Sequence, residues 1–155
     1  MNLLFEFTAN LCYFINQNGE VLLQFKKLGF GQGKWNGPGG KVKQGENVEQ
    51  SVSREVKEET GLTAENFIKV AELEFIFERR AEWNNYTHVF VCREFSGKLK
   101  PNQEGNLKWF KLEKIPFAEM WPDDKYWLLN ALAGKYAAWR FTFNKRGELL
   151  SHEKL

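Results

Sequence analysis

Residues 39–62 read GGKVKQGENVEQSVSREVKEETGL, and the fold is decided by how this stretch is understood. Asn47 can cap a helix, Gln50 stands three positions on in capping-box register, and Gly61 suits a left-handed stop. The spacing therefore predicts a helix over 48–60. Val48, Val52 and Val56 recur at every fourth position as its apolar stripe, and Glu55 and Glu59 project at the edge of that stripe with Glu58 beside them. Like charges at i and i+4 cost about a few tenths of a kcal/mol, and acids near a helix C-terminus also oppose its dipole. The segment works against its own helix. A hard divalent cation would resolve the conflict, because it takes carboxylate and carbonyl oxygens and is commonly shared with substrate phosphates. Arg54 can in addition pair with Glu58 at i+4 and hold it in position. The plain alternative is a solvated acidic face, the ordinary meaning of a charge run.

The surrounding chain is short enough to restrict the choices. Its 155 residues are 43% hydrophobic and 15% aromatic, which fits one domain over 1–155 with a core able to fold alone. Twenty-two Lys and Arg against twenty Asp and Glu leave a net charge of +2, too balanced for a dedicated binder of duplex nucleic acid. Cys12 and Cys92 lie in apolar runs without a metal-knuckle or thiol-exchange pattern and read as buried free thiols. The opening MNLLFEFTAN makes a poor signal peptide, and no run approaches membrane-spanning length. A cytoplasmic monomer without membrane contact is expected.

Outward from the helix, strands dominate. FTANLCYFI and VLLQF read as strands joined by the turn NQNG at Asn16–Gly19, a hairpin. The segment KKLGFGQGKWNGPGG, 26–40, reads as a loop that turns repeatedly or lets something approach its backbone. IKVAELEFIFE, THVFVCREF, LKWFKL, AWRFTF and GELLSH have strand character, and DDKYWLLNALAGKY has helical spacing in Trp127, Leu128 and Ala131 with a stop at Gly134. Two helices separated by strands predict an α+β domain with helices packed on a mixed sheet. His88 and His152 are isolated and read as structural or exposed.

Gly40, Glu46, Arg54, Glu55, Val56, Glu58, Glu59, Gly61 and Leu62 match the Nudix box position for position, and the chain resembles the Nudix hydrolases. Nine specified positions are too many for a chance match in one short chain. The resemblance implies a mixed β-sheet sandwiched between α-helices. It also implies Mg²⁺-dependent hydrolysis of a nucleoside diphosphate linked to another moiety, with Mn²⁺ as the alternative ion. On this resemblance Glu55, Glu58 and Glu59 are the metal ligands, with the Gly40 carbonyl as a further one. Glu55 and Glu58 are candidates for the base that takes the proton of the attacking water, and Arg54 joins them in the catalytic set. Glu104 is a third candidate, for base or metal ligand, since similar enzymes send a glutamate from a later loop to the metals. By itself, PNQEGN makes Glu104 a turn residue.

Beyond the box, KKLGFGQGKWNGPGGKV, EFIF and IPFAEMWPDDKYW are similar to the branch that hydrolyses oxidised purine nucleoside triphosphates such as 8-oxo-dGTP and 2-hydroxy-dATP. That similarity implies base contacts from Asn36, Asp123 and Asp124 and stacking by Trp121. It implies pocket walls from Phe75 and Phe77, a ligand-side Lys26, and a pocket position for Asn10. Pro38 and Asn10 depart from the branch, which carries an aromatic and a threonine there. The chemistry suits a purine: Asn offers a donor and an acceptor, and two adjacent carboxyls can share a proton and read different base edges. Taken alone, Pro122, Asp123 and Asp124 suit the first turn of a helix, and the aromatics suit a core. Two other readings stay open: a Nudix hydrolase of an unmodified nucleotide or dinucleoside polyphosphate, and a non-catalytic nucleotide sensor.

Overall fold

Strand β1 (Phe7–Phe14) is apolar on both faces, so it must lie inside a covered sheet. Cys12 and Phe14 enter one core and Tyr13 the other, and all three are fully buried. The computed structural model, which describes residues 4–100 and 105–155, shows what covers each side. After β1 come β2 (Glu20–Lys26), β3 (Trp35–Asn36), β4 (Gly39–Lys41), α1 (Val48–Thr60) and β5 (Thr63–Phe77). Then follow β6 (Asn85–Ser96), β7 (Gly105–Lys111), α2 (Asp124–Leu132), β8 (Ala137–Phe143) and β9 (Leu149–Lys154).

The larger sheet has six strands in the order β4-β1-β6-β5-β8-β9. It is mixed, as expected: β1 runs parallel to β6 and β5 parallel to β8, while its other pairs are antiparallel. On one side α1 presents Val52 and Val56 to Cys12, Phe14, Leu22 and Phe90. On the other, Trp127, Leu128 and Ala131 of α2 join Tyr13, Leu73, Val89 and Phe141. Each fully buried side chain of this size contributes about 1.5–3 kcal/mol, so the two faces together hold the sandwich closed.

One expected pairing is not made. The turn after β1 forms as anticipated, with Asn16 Oδ1 accepting from the amides of Asn18 and Glu20 at 3.0 and 2.9 Å. The strands it joins then part, and the Ile15–Val21 bridge is their sole contact of ladder type among the described residues. The reason is that a strand has two edges, and those of β1 are taken by β4 and β6. Strand β2 builds a second sheet instead, in the order β3-β2-β7. The glycine-rich segment 26–40, expected as a loop throughout, therefore contains β3 and the start of β4.

The helix that opened the reading has the predicted ends. Asn47 Oδ1 accepts from the Gln50 amide at 2.8 Å, Gln50 Oε1 accepts from the Asn47 amide at 2.9 Å, and Gly61 closes the helix at φ 81°. Cys12 and Cys92 are free and buried. No helix among the described residues is long and apolar enough to cross a membrane. Asn47→Ala removes the cap and the reciprocal bond it organises, and should lower stability by about 1 kcal/mol in urea unfolding; an unchanged midpoint would show that packing alone sets this helix end.

Candidate active site

The glycines at the start of β4 bring α1 against β1. A Cβ on Gly39 would overlap the Asn10 carbonyl oxygen, and one on Gly40 would lie 2.5–2.7 Å from the carboxyl atoms of Glu55. The Gly40 backbone and the Glu55 carboxylate therefore touch because no side chain intervenes. Glu59 is buried and its Oε2 accepts from the Gly39 amide at 3.1 Å.

Arg54 links the remaining acids. Its Nη1 lies 2.7 Å from Glu55 Oε1 and 3.4 Å from Glu58 Oε2, the expected i+4 pair. Its stronger partner lies outside the helix: Nη2 and Nε donate to Glu46 Oε1 and Oε2 at 2.6 and 3.1 Å, a bidentate pair. Arg54 Nη2 also donates to the Lys41 carbonyl at 3.1 Å. The hydrogen bond from Arg54 holds the Glu46 carboxyl at about 2, well below its ordinary value. The repulsion visible in the sequence is thus partly relieved within the protein.

Among the described residues no three acidic, histidine or cysteine side chains converge as a ready metal cage. The donor set nevertheless fits a hard divalent cation, since it consists of carboxylates on one helical edge facing a glycine backbone that any Cβ would obstruct. Glu104 lies outside the described residues.

Beside Gly40 opens a cavity of about 310 Å³, walled by strands of both sheets. Asn10, Lys26, Asn36, Phe75, Phe77, Trp121, Asp123 and Asp124, the whole predicted substrate-binding set, line it together with Gly40. Glu55, Glu58, Glu59 and Arg54 do not line it, and neither do His88 and His152.

Much of the wall is aromatic. Trp121 stacks on Phe30 with ring centroids 5.1 Å apart, Phe77 stacks on Phe143 at 4.8 Å, and Trp83 meets Phe77 edge-on at 5.4 Å. Phe30 and Trp83 were missed in the sequence. The signal for Phe30 was a lone aromatic between glycines: Gly31, at φ 85°, lets the loop pass so close to Trp121 that a Cβ would lie 3.3 Å from its Nε1. Trp83, in a short 3-10 turn, carried no comparable signal.

The paired aspartates depart from a helix-start role. Asp123 occupies the N-cap position of α2 but makes no side-chain cap, and both residues are only 2% exposed. Asp123 Oδ2 accepts from Trp127 Nε1 at 2.8 Å. Burial raises Asp123 to about 6, and burial together with the neighbouring Asp123 charge pushes Asp124 well above the ordinary range. Both shifts favour a carboxyl that keeps its proton, and two buried carboxyls side by side can share one. Asn36 Oδ1 accepts from Tyr13 Oη at 3.3 Å and from the Gly37 amide at 2.9 Å.

The chain has relatives among known proteins. The NUDIX domain family matches residues 7–131. The mouse oxidized purine nucleoside triphosphate hydrolase is 40% identical over 136 residues, 88% of this chain and 86% of that protein. The zebrafish (Danio rerio) protein of the same description is 39% identical over 137 residues, covering 88% and 87%. Among solved structures, a MutT protein from Bacillus halodurans superposes with a TM-score of 0.84 at 27% identity, covering 96% of this chain and 97% of that one.

The aspartate pair makes stability depend on pH with a definite sign. A carboxyl raised in the folded state keeps a proton that the unfolded chain releases above about 3.8, so stability present at pH 4 is lost as pH rises through about 6 and beyond. Asp124→Asn should flatten that fall in a series of melting temperatures from pH 4 to pH 9; a decline as steep as in the wild type would locate its origin elsewhere.

Proposed function

We propose, from the premise that this chain belongs to the Nudix hydrolase family, that it hydrolyses oxidised purine nucleoside triphosphates such as 8-oxo-dGTP and 2-hydroxy-dATP to the monophosphate and pyrophosphate. The observation that carries the reading is a convergence. Eight residues from distant parts of the chain, each expected at the nucleotide, line one cavity bordered by Gly40. The 40% identity to a mouse hydrolase of oxidised purine nucleoside triphosphates supports the same substrate class. Sanitation of the nucleotide pool is the corresponding role.

Nudix hydrolases use divalent metals, and Mg²⁺ is the ion proposed here. Glu55, Glu58 and Glu59 would hold it with the Gly40 carbonyl. When bound it neutralises phosphate charge and makes an attacking water more acidic. The chain supplies the remainder. Glu46 fixes Arg54, which holds Glu55, the carboxylate against Gly40, and pairs with Glu58. One of these two carboxylates takes the proton of the attacking water, with Glu104 as a further candidate. Lys26, on the cavity wall, suits the negative charge of the nucleotide. Trp121, Phe75 and Phe77 exclude water from the base, and Asn36 with the aspartate pair reads its polar edge.

Release of pyrophosphate from 8-oxo-dGTP, 2-hydroxy-dATP, dGTP and dATP in Mg²⁺ tests the reading directly. A preference in kcat/KM for the oxidised bases is expected, and comparable rates on all four would refute the substrate assignment. Glu58→Gln should lower kcat by about a hundredfold or more while leaving the metal-free protein folded. Wild-type turnover in that variant would remove Glu58 from the catalytic set.

A further inference from the structure

Three buried polar atoms on residues lining the cavity have no hydrogen-bond partner among the described residues: Asn10 Oδ1, Gln24 Nε2 and Asp124 Oδ2. A buried donor or acceptor left unmade costs about 1–3 kcal/mol, so such groups persist where something completes them. Asn10 and Asp124 belong to the set already expected at the nucleotide. Gln24 does not.

Gln24 lies in β2, 3% exposed, directly across from Asn36 in the antiparallel pair with β3. The two amides therefore reach the cavity as neighbours. Since Asn36 Oδ1 already accepts two hydrogen bonds, the amide N–H group is what Asn36 has left to offer. With Gln24 Nε2 next to it, this wall is rich in donors. Asn10 has the opposite character. The Ser51 hydroxyl donates to the Val48 carbonyl at 2.6 Å, so Asn10 Nδ2 must donate to Ser51 Oγ at 2.8 Å, and Asn10 Oδ1 is left as an acceptor. Among the described residues the donor of Gln24 is thus answered neither by the scaffold nor by Asn36.

We propose that Gln24 is a specificity-determining residue, whose buried amide donates to a carbonyl oxygen or ring nitrogen on the base of the bound purine nucleotide. The proposal rests on the functional reading above, and the test separates the two. Gln24→Met keeps the length of the side chain and removes the donor, whereas Gln24→Glu replaces the donor with a carboxylate oxygen. For wild type and both variants, kcat and KM are measured on 8-oxo-dGTP, 2-hydroxy-dATP, dGTP and dATP. Melting temperatures are taken with and without the corresponding monophosphates.

Gln24→Met should raise KM for the preferred nucleotide about tenfold, with kcat changed less than about twofold, and narrow the preference among bases. Its melting temperature without nucleotide should be equal or higher, because an unmet buried donor has been removed, while the shift produced by nucleotide shrinks. Gln24→Glu should lose more. An unchanged KM and ligand-induced shift, or an equal loss on all four nucleotides, would overturn the assignment of Gln24 and leave the enzyme's function standing. A lower melting temperature with unchanged KM would make Gln24 structural and overturn it too. No preference for oxidised bases in the wild type would overturn the functional reading itself. The Gln24 assignment would then fall as well if Gln24→Met did not reduce the shift produced by any monophosphate.

Discussion

Both edges of β1 are occupied, and much of the molecule follows from that. With β4 on one side and β6 on the other, β1 cannot accept the strand that follows it in sequence. Strand β2 is driven into a separate sheet, and the two sheets part along a cleft that neither could form alone. The cavity lies in that cleft, with Asn10 and Leu11 on the β1 side and Gln24 and Asn36 on the other. The same crowding demands glycine at positions 39 and 40, where β4 must pass between the β1 backbone and the Glu55 carboxylate.

Electrostatics in the two halves of the site are handled in different ways. Around Arg54 the charges are partly exposed and mutually satisfied, with that side chain shared among Glu46, Glu55 and Glu58. Inside the cavity Asn10, Gln24 and Asp124 are buried and incompletely satisfied, and the aspartate pair is held away from its ordinary ionisation. The first arrangement positions side chains at modest cost to the fold. The second keeps the cavity poised for a ligand whose polar edge supplies the missing partners.

How far the sequence could be read followed the range of the forces involved. The helix over 48–60 was legible in full, because its cap, stripe and stop are local signals. The mixed sheet and its two helices were legible as a class. The hairpin was not, since its failure depends on β6 pairing with β1 from about half the chain away. Asp123 and Asp124 look locally like helix starters; their burial, which decides their chemistry, is imposed by packing that no neighbouring residue announces. The cavity set came through resemblance rather than periodicity. Gln24 escaped because one polar residue in a half-buried strand looks ordinary until the strand opposite is known.

The parallel pairing of β1 with β6 also bears on when the cavity can exist. Phe7 aligns with Asn85, so this ladder closes a loop of about half the chain, a slow and entropically costly step compared with forming α1. Phe143, which also lines the cavity, lies in β8, near the end of the sequence. During synthesis the helix carrying the glutamates can form early, while the walls of the cavity wait for nearly the whole chain. Nucleotide binding at this cavity therefore reports a finished molecule: a folding intermediate can contain the helix with all its acids and still have nowhere to put a base.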